Sequence, residues 1–84
     1  MTYTIEILRS AQKQLAKIER REQQRVVEKI RMLAENPHPP GCKKLTPRSA
    51  WRIRIGDYRV IYEIHDDRLM VLVVTIGHRK EAYR

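Results

Sequence analysis

Arginines stand at alternate positions on both sides of a short turn in the second half of the chain. Arg52 and Arg54 alternate with apolar residues before Gly56-Asp57, and Arg59 does so after it. Glycine followed by aspartate between two such runs predicts a two-residue hairpin turn. In that register Arg54 lies directly opposite Arg59, and opposed like charges destabilise a sheet. The pattern favours a bound anion on this face, the alternative being two guanidinium groups that splay apart in water.

The last predicted strand, 69–76, returns toward this turn. A four-residue loop before it places Ile64 opposite Leu69 and Arg59 opposite Val74. Its residues are apolar on both faces, which predicts a strand inside the sheet and covered on both sides. The end of the strand is therefore expected beside the hairpin turn.

Further reactive groups follow that strand. His78 and Arg79 come directly after a glycine, and Tyr83 lies four residues beyond Arg79. The sequence predicts that Arg54, Arg59, His78 and Arg79 converge at one end of the sheet, with Tyr83 able to fold over them. The glycine permits a bend, so the face that Arg79 takes stays open.

Such a cluster suits cleavage of a phosphodiester bond in RNA. Guanidinium groups bind the phosphate and stabilise the charge that develops on its oxygens in the transition state. RNA supplies its own nucleophile, the adjacent 2′-hydroxyl, so the protein need only remove that proton and protonate the leaving oxygen. His78 and Tyr83 are the candidates for proton transfer, and tyrosine also stacks on unpaired bases. Lys43 and Lys44, in a proline-rich segment, are further candidates for RNA binding.

Other kinds of site are not indicated. His38, Cys42, His65 and His78 match no common spacing of metal ligands, and no glycine-rich phosphate loop precedes a helix, so we expect no metal ion and no other cofactor. His65 and the two aspartates after it are interpreted as turn residues. Cys42 is the only cysteine and cannot form an intrachain disulfide, which is typical of a reducing compartment.

The predicted elements define an α+β fold. Hydrophobic periodicity predicts a strand at 2–8, a helix at 10–20 capped by Ser10, a helix at 22–35, an irregular segment at 36–50, and strands at 51–55, 58–64 and 69–76. We therefore expect a strand, a helical hairpin and a three-strand meander, with the helices on one face of a small, mainly antiparallel sheet.

Length and charge narrow the function. The 84 residues are expected to form one domain spanning 1–84. The formal net charge is +8, and two thirds of the basic residues are arginine, which indicates a nucleic-acid partner before a membrane surface. Glu6 and Arg9 interrupt any apolar run near the N-terminus, so no secretion signal is predicted and a cytoplasmic location is expected.

Two segments carry a resemblance to a known family. The stretch WRIRIGDYRVIYEI at 51–64 and the closing VTIGHRKEAYR resemble the RelE branch of the RelE/ParE toxin superfamily, and the order of elements agrees over essentially the whole chain. The resemblance implies a microbial-ribonuclease-like fold. It also implies the toxin of a type II toxin–antitoxin pair, an endoribonuclease that enters the A site of the small ribosomal subunit and cleaves messenger RNA without a metal.

The resemblance also implies roles for residues at the matching positions. Arg52 and Arg54 match the family's paired basic residues, and Arg59 matches its strand arginine. Arg79 matches the arginine that follows the family's closing glycine motif, and Tyr83 matches its terminal catalytic tyrosine. His78 stands where other members have lysine, and the tail is short, so the identity of the general base stays open.

The resemblance further implies a partner, an acidic RelB-like antitoxin that folds on the toxin. Two other functions remain possible at this point. One is a ParE-like toxin that inhibits DNA gyrase and cuts nothing, and the other is a non-catalytic basic module that binds nucleic acid. ParE-like members usually lack the full set of basic residues and tyrosine that this sequence contains.

Overall fold

One five-stranded sheet and two helices make up the described part of the chain. The computed structural model describes residues 2–45 and 49–78. In chain order the elements are β1 (Thr4–Ile7), α1 (Arg9–Ala16), α2 (Arg20–Met32), β2 (Lys43–Leu45), β3 (Ala50–Ile55), β4 (Tyr58–His65), a 3₁₀ turn (Asp66–Arg68) and β5 (Met70–His78). The strand order is β1-β5-β4-β3-β2, with β1 parallel to β5 and the other neighbours antiparallel. The expected α+β fold with a mainly antiparallel sheet is confirmed.

The helices begin earlier than predicted. The N-terminal cap of α1 is Leu8, which makes no side-chain capping bond, so the predicted cap at Ser10 is wrong. Leu8 is still tied to the sheet because its N–H donates to the carbonyl of Val73, and the chain can turn into the helix directly after it. Likewise α2 begins at Arg20 and not at residue 22. No helix within 2–45 or 49–78 is long and apolar enough to cross a membrane.

The helices pack on the sheet face that carries the apolar residues of the β3–β4 hairpin, as its alternation predicts, with α1 lying mainly against β5 and α2 against β3. Tyr62 is fully buried there, and its hydroxyl donates a 2.7 Å hydrogen bond to the carbonyl of Pro37, just after α2. The buried side chains of this core are Ala11, Val26, Ile30, Leu33, Ile53, Ile55, Val60, Tyr62, Val71, Val73 and Ile76.

A short strand lies in the segment that we expected to be irregular. Residues 43–45 form β2 and pair with β3 at the edge of the sheet. Two lysines and a leucine carry too little alternation for the sequence to predict a strand, so the pairing with β3 determines their conformation. The meander therefore has four strands where three were predicted.

The register of β3 with β4 agrees with the prediction, including Arg54 opposite Arg59. The predicted register of β4 with β5 is wrong. Ile64 lies opposite Val71, and Arg59 lies opposite Gly77. The connection has the predicted four residues, but β4 continues to His65, which pairs with Met70. An irregularity beside Ile61 then inserts one more residue into β5, so the two strands are offset in a way that loop length alone does not predict.

Candidate nucleic-acid interface

The side chains of the sheet face opposite α1 and α2, which we call the open face, lie in rows that cross the strands. Directly paired residues share a face, and rows on one face are two residues, or about 7 Å, apart along each strand. Counted from the hairpin turn, the first row is Arg54, Arg59 and Gly77, and the second is Lys43, Arg52, Ile61 and Thr75. The third is Leu45, Ala50, Glu63, Leu72 and Glu6, and the fourth is His65, Met70 and Thr4.

The first row holds two arginines of different exposure. Arg54 is exposed, whereas Arg59 retains only 5% of its accessible surface. Gly77, on the other side of Arg59, has no side chain to compete for the space above the sheet. A recess of about 50 Å³ lies between the two arginines at the turn, with Asp57 also in its lining. Arg54 and Arg59, from neighbouring strands, therefore border one small recess at the turn end of the face.

The second row extends the positive charge along the face. Lys43 lies directly opposite Arg52, so a lysine on the edge strand and an arginine on β3 face the same side. The Nε atom of Arg52 is buried and makes no hydrogen bond with the described residues. A buried donor without an acceptor is unfavourable, and a phosphate oxygen is one acceptor that would satisfy the guanidinium.

The structure divides the predicted site residues between the two faces. Lys43, Arg52, Arg54 and Arg59 share the open face. Lys44 lies opposite Trp51, on the face that the helices cover. The predicted Arg79 and Tyr83 fall outside the described residues.

His78 is at the expected end of the sheet but on the other face from the arginines. It lies opposite Tyr58, and the two rings meet edge to face with their centres 5.5 Å apart. Both line a cleft of about 430 Å³ beside Gln14 of α1 and Lys17, the residue directly after that helix. The predicted convergence of His78 with Arg54 and Arg59 is therefore corrected, because β5 continues to His78 and its alternation gives the open face to Gly77.

Two buried or hydrogen-bonded tyrosines are unsuited to proton transfer at neutral pH. Burial raises the pKa of the Tyr62 hydroxyl, and nearby Cys42 raises it further. The pKa of Tyr3 is raised mainly by the hydrogen bond that its hydroxyl donates to the carboxylate of Asp66. Both hydroxyl groups stay protonated and hold structure together, Tyr62 at the end of α2 and Tyr3 across β1 and the 3₁₀ turn.

Sequence reasoning missed two polar residues on the open face. The two are Glu63 and His65. His65, a predicted turn residue, is the last residue of β4, and its Nε2 lies 3.0 Å from Oε1 of Glu63. The signal was available in the sequence, since the period of two that runs from Arg59 through Ile61 reaches Glu63 and His65 on the same face.

Comparison with known proteins places the chain in a family. A family model described as the ParE toxin of the type II toxin–antitoxin system parDE matches residues 5–83. The chain belongs to the RelE/ParE superfamily of toxins. The toxin is also 26% identical, over 98% of its length and 88% of the relative's, to an Escherichia coli protein described as RelE-like toxin.

Solved structures of RelE proteins share the fold of this toxin. The RelE–RelB complex of Pyrococcus horikoshii is matched with a TM-score of 0.85 and 26% identity, over 96% of this chain and 99% of that one. The RelBE2 toxin–antitoxin complex of Mycobacterium tuberculosis is matched with a TM-score of 0.84 and 27% identity, over 96% and 95%. A mutant of Escherichia coli RelE in the free state, at 23% identity and a TM-score of 0.82 over 99% and 88%, shares the fold.

Proposed function

We propose that this toxin is a metal-independent endoribonuclease that cleaves messenger RNA in the ribosomal A site and so inhibits translation. The observation that carries the proposal is the opposed pair Arg54 and Arg59, with Arg52 and Lys43 in the adjacent row of the same face. Four cations within two rows of one face form a positively charged surface that suits a polyanion.

In the proposed reaction, Arg54 and Arg59 bind the scissile phosphate from two strands. The 2′-hydroxyl of the preceding ribose loses its proton to a base and attacks phosphorus, while the bond to the 5′-oxygen breaks and that oxygen receives a proton from an acid. The products are a cyclic phosphate and a free 5′-hydroxyl. The arginines stabilise the negative charge that the phosphate oxygens gain in the transition state.

Proton transfer is assigned on the family resemblance. Tyr83 and Arg79 occupy the matching positions of the closing motif, and we propose them as the groups that act on the 2′-hydroxyl and the leaving oxygen. The position of His78 on the other face argues against direct contact with a phosphate between Arg54 and Arg59. We therefore place His78 after Tyr83 as a candidate base.

The proposed partners are the ribosome with its message and an acidic RelB-like antitoxin. Relatives in this fold were solved as complexes with RelB antitoxins. A formal net charge of +8 favours an acidic partner through simple electrostatic complementarity. We propose that the toxin is cytoplasmic and acts there.

A second candidate function is inhibition of DNA gyrase in the manner of ParE toxins. The observation in its favour is that the matching family model is described as a ParE toxin. The arginine rows favour the nuclease, because a toxin that only blocks an enzyme does not need cations gathered around one phosphate. A non-catalytic nucleic-acid-binding module is the third candidate.

One pair of assays separates these functions. Purified toxin is added to translating ribosomes, and the 5′ ends of the message are mapped, while the same preparation is tested in a gyrase supercoiling reaction. The nuclease predicts cuts at discrete codons and normal supercoiling. Intact message with arrested supercoiling would replace our proposal with gyrase inhibition, and intact message with normal supercoiling would leave only the binding module.

The edge strand provides a matched pair of variants for the same assay. Lys43→Ala and Lys44→Ala remove the same side chain from adjacent positions that face opposite sides of the sheet. Cleavage is expected to fall by about tenfold for Lys43→Ala and to change little for Lys44→Ala, because only the former removes a charge from the open face. Equal losses would indicate that general charge, and not this face, binds the RNA.

A further inference from the structure

The third and fourth rows of the open face, which lie away from the hairpin turn, differ in charge from the first two rows. Glu63 is four residues beyond Arg59 on β4, and Glu6 on β1 belongs to the same row. The side chains of Glu63 and His65 keep 36% and 35% of their accessible surface. They are therefore reachable by a ligand on the face, and they are held together by the 3.0 Å contact between His65 Nε2 and Glu63 Oε1.

This half of the face is unsuited to a phosphate. A carboxylate repels the anionic RNA backbone, and Glu6 adds a second negative charge to the row. Four residues of extended chain separate Glu63 from Arg59 by about 13 Å, which is too far for Glu63 to act on a phosphate held by Arg59. An RNA strand bound by the arginine rows can present only a base or a ribose here.

The surroundings of Glu63 suit a base. Ile61 in the preceding row and Leu72 beside Glu63 are both half-buried, so they offer apolar surface on which a ring can lie. An ionised carboxylate only accepts hydrogen bonds. Adenine, cytosine and guanine carry exocyclic amino donors. Uracil has none, and its one ring donor, N3–H, lies between two carbonyl oxygens that repel a carboxylate.

We propose that Glu63 is a specificity-determining residue, which accepts a hydrogen bond from the amino group of a base next to the cleaved phosphate and disfavours uracil there. His65 is a positioning residue that fixes one carboxylate oxygen and leaves the other for the base. This inference rests on the proposed nuclease function and adds the base preference of the same face.

The test uses full-length toxin and programmed ribosomes. Messages that differ in one base at each position around the mapped cut are cleaved, and the ratio of rates for amino-bearing bases over uracil is measured. Wild-type toxin is expected to show a ratio of about ten at one position. Glu63→Gln is expected to bring that ratio close to one, because an amide can also donate to a carbonyl of uracil. A ratio measured within one preparation does not depend on the folded fraction.

Matched variants identify the source of any change. Glu28→Gln removes the same charge from an exposed position on α2 and is expected to keep the wild-type ratio. His65→Gln keeps a donor and should preserve most of the preference, whereas His65→Leu should lower it. Equal rates for all four bases with wild-type toxin, or an unchanged ratio in Glu63→Gln, would overturn the role of Glu63 alone. Absence of any cleavage by wild-type toxin would instead overturn the nuclease function.

Discussion

The opposed arginines on the open face make a quantitative prediction about stability. Arg54 and Arg59 are a direct cross-strand pair, and like charges in that position cost about 0.2–1 kcal/mol. Arg54→Gln removes one of the charges while keeping a side chain that can lie along the sheet. The free energy of unfolding is therefore expected to rise by that amount, even though the substitution damages the proposed RNA site.

Thermal unfolding followed by circular dichroism measures this gain. For a domain of this size 1 kcal/mol corresponds to about 4–8 °C, so the midpoint should rise by about 1–8 °C at low salt. The gain should disappear in 1 M salt, where the Debye length is only about 3 Å. Arg31→Gln is the control, since it removes the same charge from an exposed site in the last turn of α2 and is expected to give no gain.

Two results would refute the reasoning. A midpoint that falls in Arg54→Gln at low salt would mean that Arg54 is stabilised by its surroundings and not strained by Arg59. A gain of equal size in Arg31→Gln, or one that persists in 1 M salt, would assign the effect to overall net charge or to packing. If the proposal holds, Arg54→Gln also makes the plot of the logarithm of the RNA-binding constant against the logarithm of salt concentration less steep, by about 0.7 in slope.

Three further predictions concern single positions. Tyr62→Phe leaves the carbonyl of Pro37 without its donor in a buried site and should lower the free energy of unfolding in urea by about 1–2 kcal/mol; no loss would mean that another donor replaces the hydroxyl. Gly56→Ala should cost about 1 kcal/mol by the same measurement, because the turn holds this residue at a φ of +59°, and Gly56→Asn should cost less. Arg59→Lys keeps the charge but not the planar fork, so RNA cleavage per folded molecule should fall by about 10²-fold or more, with the folded fraction of the same sample measured by circular dichroism; full activity would exclude two-point phosphate binding by Arg59.

The hairpin was predictable because its signals are local. Glycine and aspartate fix a two-residue turn, and once the turn is fixed the period of two determines every partner from Arg54 outward. The same reasoning failed for β5, because no local signal marks the continuation of β4 to His65 or the extra residue that β5 holds beside Ile61.

The errors in the candidate site arise where the structure depends on pairing between distant strands and not on local signals. Each extra residue in β5 moves every later residue to the opposite face of the sheet. A local pattern could therefore place His78 at the correct end of the sheet but not on the correct face. The strand β2 was missed for a related reason, since Lys43 and Lys44 become a strand only through pairing with β3. Glu63 lies outside the predicted site although its periodicity is visible in the sequence, because a carboxylate does not bind the phosphate for which that site was predicted.

The parallel pairing of β1 with β5 has a consequence for how the protein is made. Thr4 is paired with Met70 and Ile7 with Val73, so β1 cannot form its strand pairing until β5 has been synthesised. During synthesis the first strand and helix emerge while the strand that completes their side of the sheet has not yet been translated. Contacts over such long separations also slow folding. The finished sheet therefore forms only after β5 has left the ribosome, which gives other proteins in the cell time to reach the nascent chain before the sheet is closed.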